Sequence, residues 1–286
     1  MIRDHRPAGL PVERSCQLLN LSRSEYYEGI SDEAQEPIPD DLLEEIVSLT
    51  DERTAYGYRR VGANLRKRGN AKASDKKVRT RMRKLGLNRR RKRRKPRTTI
   101  PGKGPASPNL AADLNLTGLR ELLVTDITYV ALPRGFAYVS VILDAFSRRA
   151  LGWAASESLA TELPLEALEM VLSSTNLSEG WIHHSDRGCQ YTSSQYKERV
   201  LKFKGQLSNS KPGCPYDNAK MESFFKTYKY EEANLQEFLS IQDLRENLAS
   251  FLNDYNSQRL HSSIGYCSPI EFEILHAQAN KQMCVR

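Results

Sequence analysis

Three acidic residues in unusual surroundings constrain this chain more than any other feature. Asp126 lies in the middle of the strand-like run 122–130, and Asp186 ends a second apolar run. Glu222 follows after thirty-five intervening residues, inside a helical pattern. An acid on a buried strand is costly unless a positive charge pairs with it. Three such acids predict that the missing partner is a divalent cation.

The chemistry of a hard cation suits these residue types. Mg²⁺ takes oxygen ligands and is usually held by one or two carboxylates together with substrate phosphates. Two such ions can stabilise both the attacking and the leaving oxygen of an in-line displacement. We therefore predict that Asp126 bridges two ions, that Asp186 binds one of them and that Glu222 binds the other. All three are candidate catalytic and metal-binding residues.

Other charged residues near these positions have ordinary explanations. Asp144 also ends a strand, but it opens a tight turn before Ser147 and is expected to cap that turn. Glu222 and Lys226 have the spacing of a common surface ion pair, and the helix alone favours that interpretation. Lys229 shares their helix face, which would also suit a DNA backbone running past the acids.

Positive charge is concentrated in one region, within a chain of net charge +8 and pI near 9.2. Fourteen residues between 76 and 97 are Lys or Arg, which points to a polyanion, most often nucleic acid. Three short helices are predicted here. Two come before the basic region, and the third, from Ser74 to Gly86, overlaps its start. They favour a helix-turn-helix over a small bundle with a solvated face. The candidate DNA-binding residues are Lys76, Lys77, Arg79, Arg83, Arg89, Arg90, Arg91, Lys226 and Lys229.

The pattern of apolar residues divides the chain into five segments. Beyond the basic region, three strands joined by short turns are followed by alternating helices and strands, which predicts an α/β domain with a mixed sheet flanked by helices. The predicted segments are a short N-terminal helical segment (1–35), a helix-turn-helix domain (36–88), a basic linker containing Pro and Gly (89–117), a catalytic core (118–276) and a C-terminal tail (277–286).

Cysteine, histidine and hydropathy exclude several other classes of protein. The five cysteines are scattered without a C-x-x-C pair, which argues against disulfides and against a zinc site. His183 and His184 are adjacent, and neighbours on a strand face opposite sides. No apolar run approaches the ~20 residues of a membrane span, and no signal-peptide core is present. We expect a soluble, cytoplasmic protein with no membrane partner.

Five stretches resemble the motifs of IS3-family insertion-sequence transposases, specifically the protein of the downstream reading frame. Segments 124–129 (VTDITY), 184–193 (HSDRGCQYTS) and 216–226 (YDNAKMESFFK) are similar to the family's three catalytic motifs. Segment 254–272 resembles its C-terminal signature, and residues 56–60 through 85–87 its helix-turn-helix. The spacing of the three acids also matches that of retroviral integrases. Leu123 departs from a frequent Trp and Cys189 from a usual Ser, and both flank the acids without replacing them.

This resemblance implies a fold, a chemistry and partners. The fold would be an RNase H-like core with a five-stranded mixed sheet, and the cofactor Mg²⁺ or Mn²⁺, two ions per site. The activity would be DNA strand cleavage at terminal inverted repeats, followed by attack of the freed 3′-hydroxyl on target DNA. Lys229 would help position the DNA. Because two DNA ends are joined, a homo-oligomer assembled on DNA is expected.

Three alternatives stay open at this point. A plain nuclease of the same fold would hydrolyse without joining. A catalytically silent DNA-binding regulator is expected to lack one of the acids, and none is missing here. The chain could also be one half of a frameshift-fused transposase, with an upstream-frame (OrfA-type) protein supplying further DNA binding and multimerisation.

Overall fold

The structure, a computed structural model, describes residues 40–87, 107–211 and 214–284. The predicted N-terminal segment 1–35 lies outside these residues, as do Arg89, Arg90 and Arg91. None of the helices within the described ranges is long and apolar enough to cross a membrane.

Three short helices form the N-terminal domain, as the sequence predicts. They are α1 (Asp40–Glu52), α2 (Tyr58–Lys67) and α3 (Asp75–Lys84). Helix α3 begins where the side chain of Ser74 accepts a hydrogen bond from the backbone N–H of Lys77 at 3.4 Å, which satisfies a free amide of the first turn. Each helix turns its apolar stripe inward, and the shared core includes Ile46, Leu49, Val61, Leu65, Val78 and Met82.

The second domain is built on the predicted five-stranded mixed sheet. Its strands are β1 (Leu122–Leu132), β2 (Gly135–Asp144), β3 (Ala150–Ser156), β4 (Ile182–Ser185) and β5 (Gln206–Asn209). They lie in the order β3-β2-β1-β4-β5. The first three strands are antiparallel, and β4 and β5 join β1 in parallel. Strand β1 is therefore central, with a neighbour on each side.

Helices cover both faces of this sheet. They are α4 (Glu162–Ser174), α5 (Cys189–Thr192), α6 (Ser194–Lys202), α7 (Ala219–Tyr228), α8 (Ile241–Ser257) and α9 (Pro269–Cys284). Because side chains alternate along a strand, Leu122 and Val124 pack with α7 and α8. Leu123 points the other way and packs with α4 and α6. Asp126 has the parity of Val124, so it faces the layer that contains α7.

One glycine allows the sheet and α4 to approach closely. A Cβ atom built on Gly152 of β3 would lie 2.2 Å from the carbonyl oxygen of Ala167 in α4. Only a residue without a side chain fits at this crossing. The contact holds α4 against the face of the sheet opposite Asp126.

Two predicted boundaries differ from the structure. The linker was expected to reach residue 117, but the backbone N–H of Leu110 donates to Ser208 Oγ at 2.9 Å and Leu116 packs against the core. Residues 107–117 therefore belong to the core surface, because their polar backbone finds partners there. The tail was expected to start at 277, whereas α9 continues through Cys284.

The three-helix domain contacts the C-terminal part of the core directly. The Tyr56 hydroxyl accepts a hydrogen bond from the backbone N–H of Leu260 at 3.1 Å. Three ion pairs connect the domains as well, and they join Arg53 to Asp254, Lys67 to Glu271 and Arg60 to Glu231. The sequence did not indicate this contact, since its residues are far apart along the chain.

Candidate active site

Strand register brings Asp126 and Asp186 together. Val124 of β1 is paired with His184 of β4 in a parallel ladder. Two residues further along each chain come Asp126 and Asp186. Neighbouring strands lie about 4.8 Å apart, so the two aspartates stand side by side where β4 ends. The structure thus places two of the three predicted acids next to each other.

The electrostatics of Asp126 reflect this placement. Burial first, and then the charge of the nearby Asp186 carboxylate, raises the pKa of Asp126 from 3.8 to about 7. A hydrogen bond from the backbone N–H of Ile127 at 2.8 Å and the charge of Lys229 act in the opposite direction. Removal from water and like-charge repulsion both disfavour the ionised form. Positive charge at this position would therefore be strongly favoured.

Helix α7 brings Glu222 and Lys229 to the same side of the sheet. Just before the helix, Asn218 Nδ2 donates to the backbone carbonyl of Thr125 at 3.0 Å, next to Asp126. The buried side of α7, which includes Phe224 and Tyr228, packs on the sheet. Glu222 is exposed one turn after Asn218, on the face that it shares with Lys226 and Lys229.

Lys229 reaches back from the end of α7 to the sheet. Its Nζ lies 4.3 Å from the centroid of the Tyr129 ring, within the range of a cation–π contact. Burial lowers the pKa of Lys229, and the charge of Asp126 raises it. Lys226, one turn earlier, is exposed. One predicted DNA-contacting lysine thus lies at the acids, and the other faces solvent.

The donor atoms fit a hard divalent cation, although the three acids are not grouped. Asp126, Asp186 and Glu222 offer carboxylate oxygens only, which suit Mg²⁺ and Mn²⁺, whereas zinc sites usually include nitrogen or sulfur donors. The buried, mutually repelling aspartates are what a cation would stabilise. Across residues 40–87, 107–211 and 214–284, no three His, Cys, Asp or Glu side chains are close enough to hold a metal ion. Within these ranges the three acids do not form such a group, and Glu222 is exposed.

The two histidines before Asp186 have structural roles. His183 Nε2 lies 2.7 Å from the Tyr196 hydroxyl, and burial lowers the pKa of His183 to about 3. His184 is held between two hydroxyls, with Ser208 Oγ at 2.8 Å and Ser210 Oγ at 3.0 Å. Both nitrogens of His184 and the Nε2 atom of His183 thus have hydrogen-bond partners, and burial favours the neutral form of both rings.

The hydroxyls near Asp186 are buried. Tyr191 shares a hydrogen bond with Thr125 Oγ1 at 3.2 Å, and burial raises its pKa well above the ordinary value of 10.0. Ser185 Oγ donates to the backbone carbonyl of Asp186 at 2.9 Å. Both side chains are therefore placed to support the strand end rather than to act as nucleophiles.

The structure also shows where Leu123 and Cys189, which differ from the family motifs, and Asp144, which is not expected in the metal site, are located. Leu123 is fully buried among the residues that pack with α4. Cys189 is exposed at the start of α5. Asp144 is buried and accepts hydrogen bonds from Phe146 N at 2.9 Å and Ser147 Oγ at 3.2 Å. It caps its own turn, as predicted.

The basic face of α3 is open to solvent. Its apolar stripe is narrow and buried, and the predicted DNA contacts Lys76, Lys77, Arg79 and Arg83 are all exposed. Arg79 also lies 5.7 Å over the ring of Tyr58, at the start of α2. The helix therefore presents several cations from one surface of the domain.

Two charged residues near Lys229 were not predicted from the sequence. Arg259 is buried, and it donates to both carboxylate oxygens of Glu231 at 2.7 Å. Arg259 belongs to the recognised C-terminal stretch 254–272, and Glu231 comes two residues after Lys229. Their positions were visible in the sequence, but nothing there indicated that they pair.

Family models match both parts of the chain. Residues 37–95 match the HTH-like domain, and residues 119–215 and 204–269 match two models of the Integrase core domain. In the solved structure of the simian T-cell lymphotropic virus intasome in complex with PP2A regulatory subunit B56 gamma, a chain aligns with a TM-score of 0.47 at 13% identity, over 80% of this chain and 74% of that one.

Curated relatives are more similar in sequence. Transposase InsF for insertion sequence IS3A of Escherichia coli (strain K12) is 35% identical over 232 residues, which cover 79% of this chain and 75% of the relative. The insertion element IS600 uncharacterized 31 kDa protein of Shigella sonnei is 36% identical over 90% of this chain and 96% of that protein. With both domains and most of the length matched, the chain belongs to the IS3 family of insertion-sequence transposases.

Proposed function

We propose that this chain cuts DNA at the ends of an insertion sequence and joins the freed 3′-hydroxyl groups to target DNA. The observation that best supports this is the Asp126–Asp186 pair, which lies side by side next to the helix that carries Glu222 and Lys229. The family is one of polynucleotidyl transferases, and the N-terminal domain provides a separate DNA-binding surface.

Asp126 and Asp186 would hold the divalent cation, Mg²⁺ or Mn²⁺, and Glu222 would complete the oxygen ligands for two ions once DNA is in place. When bound, the cations supply positive charge beside the attacking and leaving oxygens. DNA binding and completion of the site would occur together, because substrate phosphates share such ions with the carboxylates.

The remaining residues orient the DNA. Lys229 lies over the Tyr129 ring and acts on Asp126, where it can bind a phosphate oxygen of the scissile strand. In the first step a water oxygen bonds to phosphorus and the 3′ oxygen leaves as a hydroxyl. In the second step that 3′-hydroxyl gives up its proton as its oxygen bonds to a target phosphorus, and the target 3′ oxygen leaves from the same phosphorus as a hydroxyl. Tyr191 and Ser185 are buried, so neither is placed to attack DNA. Both displacements are direct, and neither needs a covalent protein–DNA intermediate.

The partners follow from the reaction. DNA is the substrate, both as terminal inverted repeat and as target. Joining two ends places two active sites on one DNA complex, so we propose a homo-oligomer that assembles on DNA. An upstream-frame protein of the family's usual gene organisation would add DNA affinity and multimerisation.

A strand-transfer assay tests the proposal. Labelled duplex from the element end is incubated with the full chain and a target plasmid, with Mg²⁺, with Mn²⁺ or with a chelator. We expect nicked and joined products with either metal and neither product with the chelator. Nicks without joining would support a plain nuclease. Binding without cutting would indicate a regulator or half of an enzyme, and adding the upstream-frame protein would distinguish these two.

Removing charge from α3 should weaken DNA binding strongly. Changing Lys77, Arg79 and Arg83 together to Gln removes three exposed cations that we propose contact phosphates. Each lost phosphate contact should reduce the slope of log K against log salt by about 0.9. We expect affinity for element-end duplex to fall by roughly a factor of ten or more at 0.15 M salt. Fluorescence anisotropy over a salt series would measure both quantities.

A second triple variant provides the matched control. Arg66 and Lys67 at the end of α2 and Arg68 directly after it carry the same total charge, and they pair with Asp75, Glu271 and Glu52 respectively. Exposed pairs of this kind contribute little to stability. Their replacement by Gln should leave the salt slope nearly unchanged. Equal losses in the two variants would show that net charge, and not the α3 face, drives binding.

A further inference from the structure

The end of α7 departs from regular helix where Lys229 lies. Residues Lys229–Ala233 form a π-helical turn directly after Tyr228. Such turns are rare and are frequent at functional sites. Because the turn changes the direction of the side chains that follow α7, its geometry decides whether Lys229 reaches Tyr129 and Asp126. Something must hold the turn in place for that contact to persist.

Arg259 contacts the chain on both sides of Lys229. Its Nη2 lies 3.4 Å from Thr227 Oγ1, two residues before the lysine. Its Nε and Nη2 donate to the two oxygens of Glu231, two residues after the lysine, each at 2.7 Å. A planar guanidinium fits a carboxylate in this two-pronged way, and lysine cannot reproduce it. One side chain therefore spans the turn.

The pair is shielded from solvent. The Arg259 side chain is 3% exposed and that of Glu231 14%. Arg259 lies 5.6 Å from the Tyr255 ring and 3.4 Å from His261. A buried pair is costly to break, because the partner left behind keeps an uncompensated charge. Its contacts thus hold the turn more firmly than a surface ion pair would.

A cation from the other domain reaches the same carboxylate. Arg60 Nη1 of α2 lies 3.5 Å from Glu231 Oε1, close to the hydrogen bond that the backbone N–H of Leu260 donates to the Tyr56 hydroxyl. Glu231 therefore faces one arginine from the core and one from the HTH-like domain. The segment after Lys229 is linked to the domain that carries the basic face of α3.

We propose that Arg259 is a positioning residue for Lys229, acting through Thr227 and Glu231, and that Arg60 couples this position to the HTH-like domain. The inference rests on the proposed role of Lys229 in aligning DNA. Arg259 itself touches no reacting atom. Its contribution is to keep the lysine beside Asp126 before DNA arrives, which reduces the ordering that binding must achieve.

Chemical labelling of the DNA-free full-length chain tests the geometry without any activity. Brief treatment with acetic anhydride, followed by mass spectrometry, gives the acetylation rate of each lysine. We expect Lys229, half-buried over Tyr129, to react several-fold more slowly than exposed Lys226. Glu231→Gln should raise the Lys229 rate toward that of Lys226. Half-buried Lys220 at the start of α7 should keep its rate.

Two labelling outcomes would overturn the proposal. An unchanged Lys229 rate in Glu231→Gln would mean that the carboxylate does not hold the turn. A parallel rise at Lys220 would mean that α7 as a whole has loosened, which is a purely structural effect. Glu237→Gln, an exposed change in the same segment, is the matched control and should alter neither rate.

A double-mutant cycle tests whether the effect on catalysis passes through Lys229. Arg259→Lys should lower the strand-transfer rate roughly tenfold in the otherwise wild-type chain. It should cause little further loss in a chain that already carries Lys229→Ala, because residues that act as a unit are not additive. Additive losses would contradict the proposal. Should Arg259→Lys fail to fold, Glu231→Gln takes its place in the cycle.

Failure of the proposed function and failure of this inference would give different results. A wild-type chain that joins no DNA would count against the proposed function, while the acetylation rates would still report the turn. An active Lys229→Ala chain would remove the role of Lys229 and with it the catalytic part of the inference. A normal strand-transfer assay with an unchanged Lys229 acetylation rate in Glu231→Gln would reject the inference alone.

Discussion

Replacing Asp126 by Asn should abolish DNA cleavage and joining while making the metal-free protein more stable at pH 8. The catalytic loss is expected to be about a thousandfold or more, because a carboxylate ligand contributes several kcal/mol of charge stabilisation through the cation. The stability gain has the opposite sign because Asp126 is buried beside Asp186.

The sign follows from proton binding. The pKa of Asp126 is about 7 in the folded chain, against an ordinary value of 3.8. Between these values the folded state holds the proton more tightly than the unfolded state, so stability decreases as pH rises from about 4 to about 7. Above pH 7 the full cost, on the order of 2–4 kcal/mol, is present. Asn carries no charge and avoids this cost.

Urea unfolding in the presence of a chelator would measure the effect. The free energy of unfolding of Asp126→Asn should exceed that of wild type at pH 8, and the two should converge near pH 4. Mg²⁺ should stabilise wild type and have much less effect on the variant. Asp113→Asn, at an exposed position on the surface of the second domain, should change neither the pH dependence of the unfolding free energy nor its response to Mg²⁺. A variant that is less stable than wild type at pH 8 would show that Asp126 is not a strained carboxylate.

Replacing Glu222 by Gln should also eliminate joined products, but with almost no change in stability. Gln keeps the size and hydrogen-bonding capacity of Glu and removes the charge that a cation needs. Glu222 is exposed in the first turn of α7, where a negative charge interacts favourably with the helix dipole. Its loss should cost no more than about 0.5 kcal/mol. Binding of element-end DNA should persist.

The assay compares strand transfer, DNA affinity and unfolding for wild type, Glu222→Gln and Glu246→Gln. Glu246 is an exposed glutamate on α8, and its replacement should be silent in all three measurements. Joined products at the wild-type level in Glu222→Gln would exclude this residue from the site. Loss of DNA binding together with activity would instead place Glu222 at the DNA interface without a role in metal binding.

Short stretches of sequence were sufficient to predict most of the helices and strands. The apolar and β-branched run 122–130 predicted strand β1, and the Ser74 cap predicted the start of α3. These features depend on neighbours in the sequence, so a single chain reveals them. The ends of the core were less predictable, because residues 107–117 look like a linker until Ser208 and Asn209 supply partners.

Within the candidate site, the sequence indicates which strands carry the two aspartates but not how the other charged groups are arranged. Asp126 and Asp186 meet through the β1–β4 register, which follows once the strand order is known. The exposure of Glu222 depends on how α7 rests on the sheet, and sequence spacing does not encode that. The pairing of Arg259 with Glu231 crosses 27 intervening residues. No local preference identifies such a partner, although both residues stand near recognised motifs.

Direct contact between the two domains would fix the distance along DNA between the sequence that α3 binds and the phosphate that is cut. This holds if α3 binds a terminal sequence while α2 keeps its contacts with the core through Tyr56 and Arg60. The distance from the bound bases to the cut phosphate is then constant. Duplex turns once in about 10–10.5 base pairs. The cut site would then be counted in base pairs from the bound sequence. Half a turn of inserted DNA would present the wrong strand, and a whole turn the right strand at the wrong distance.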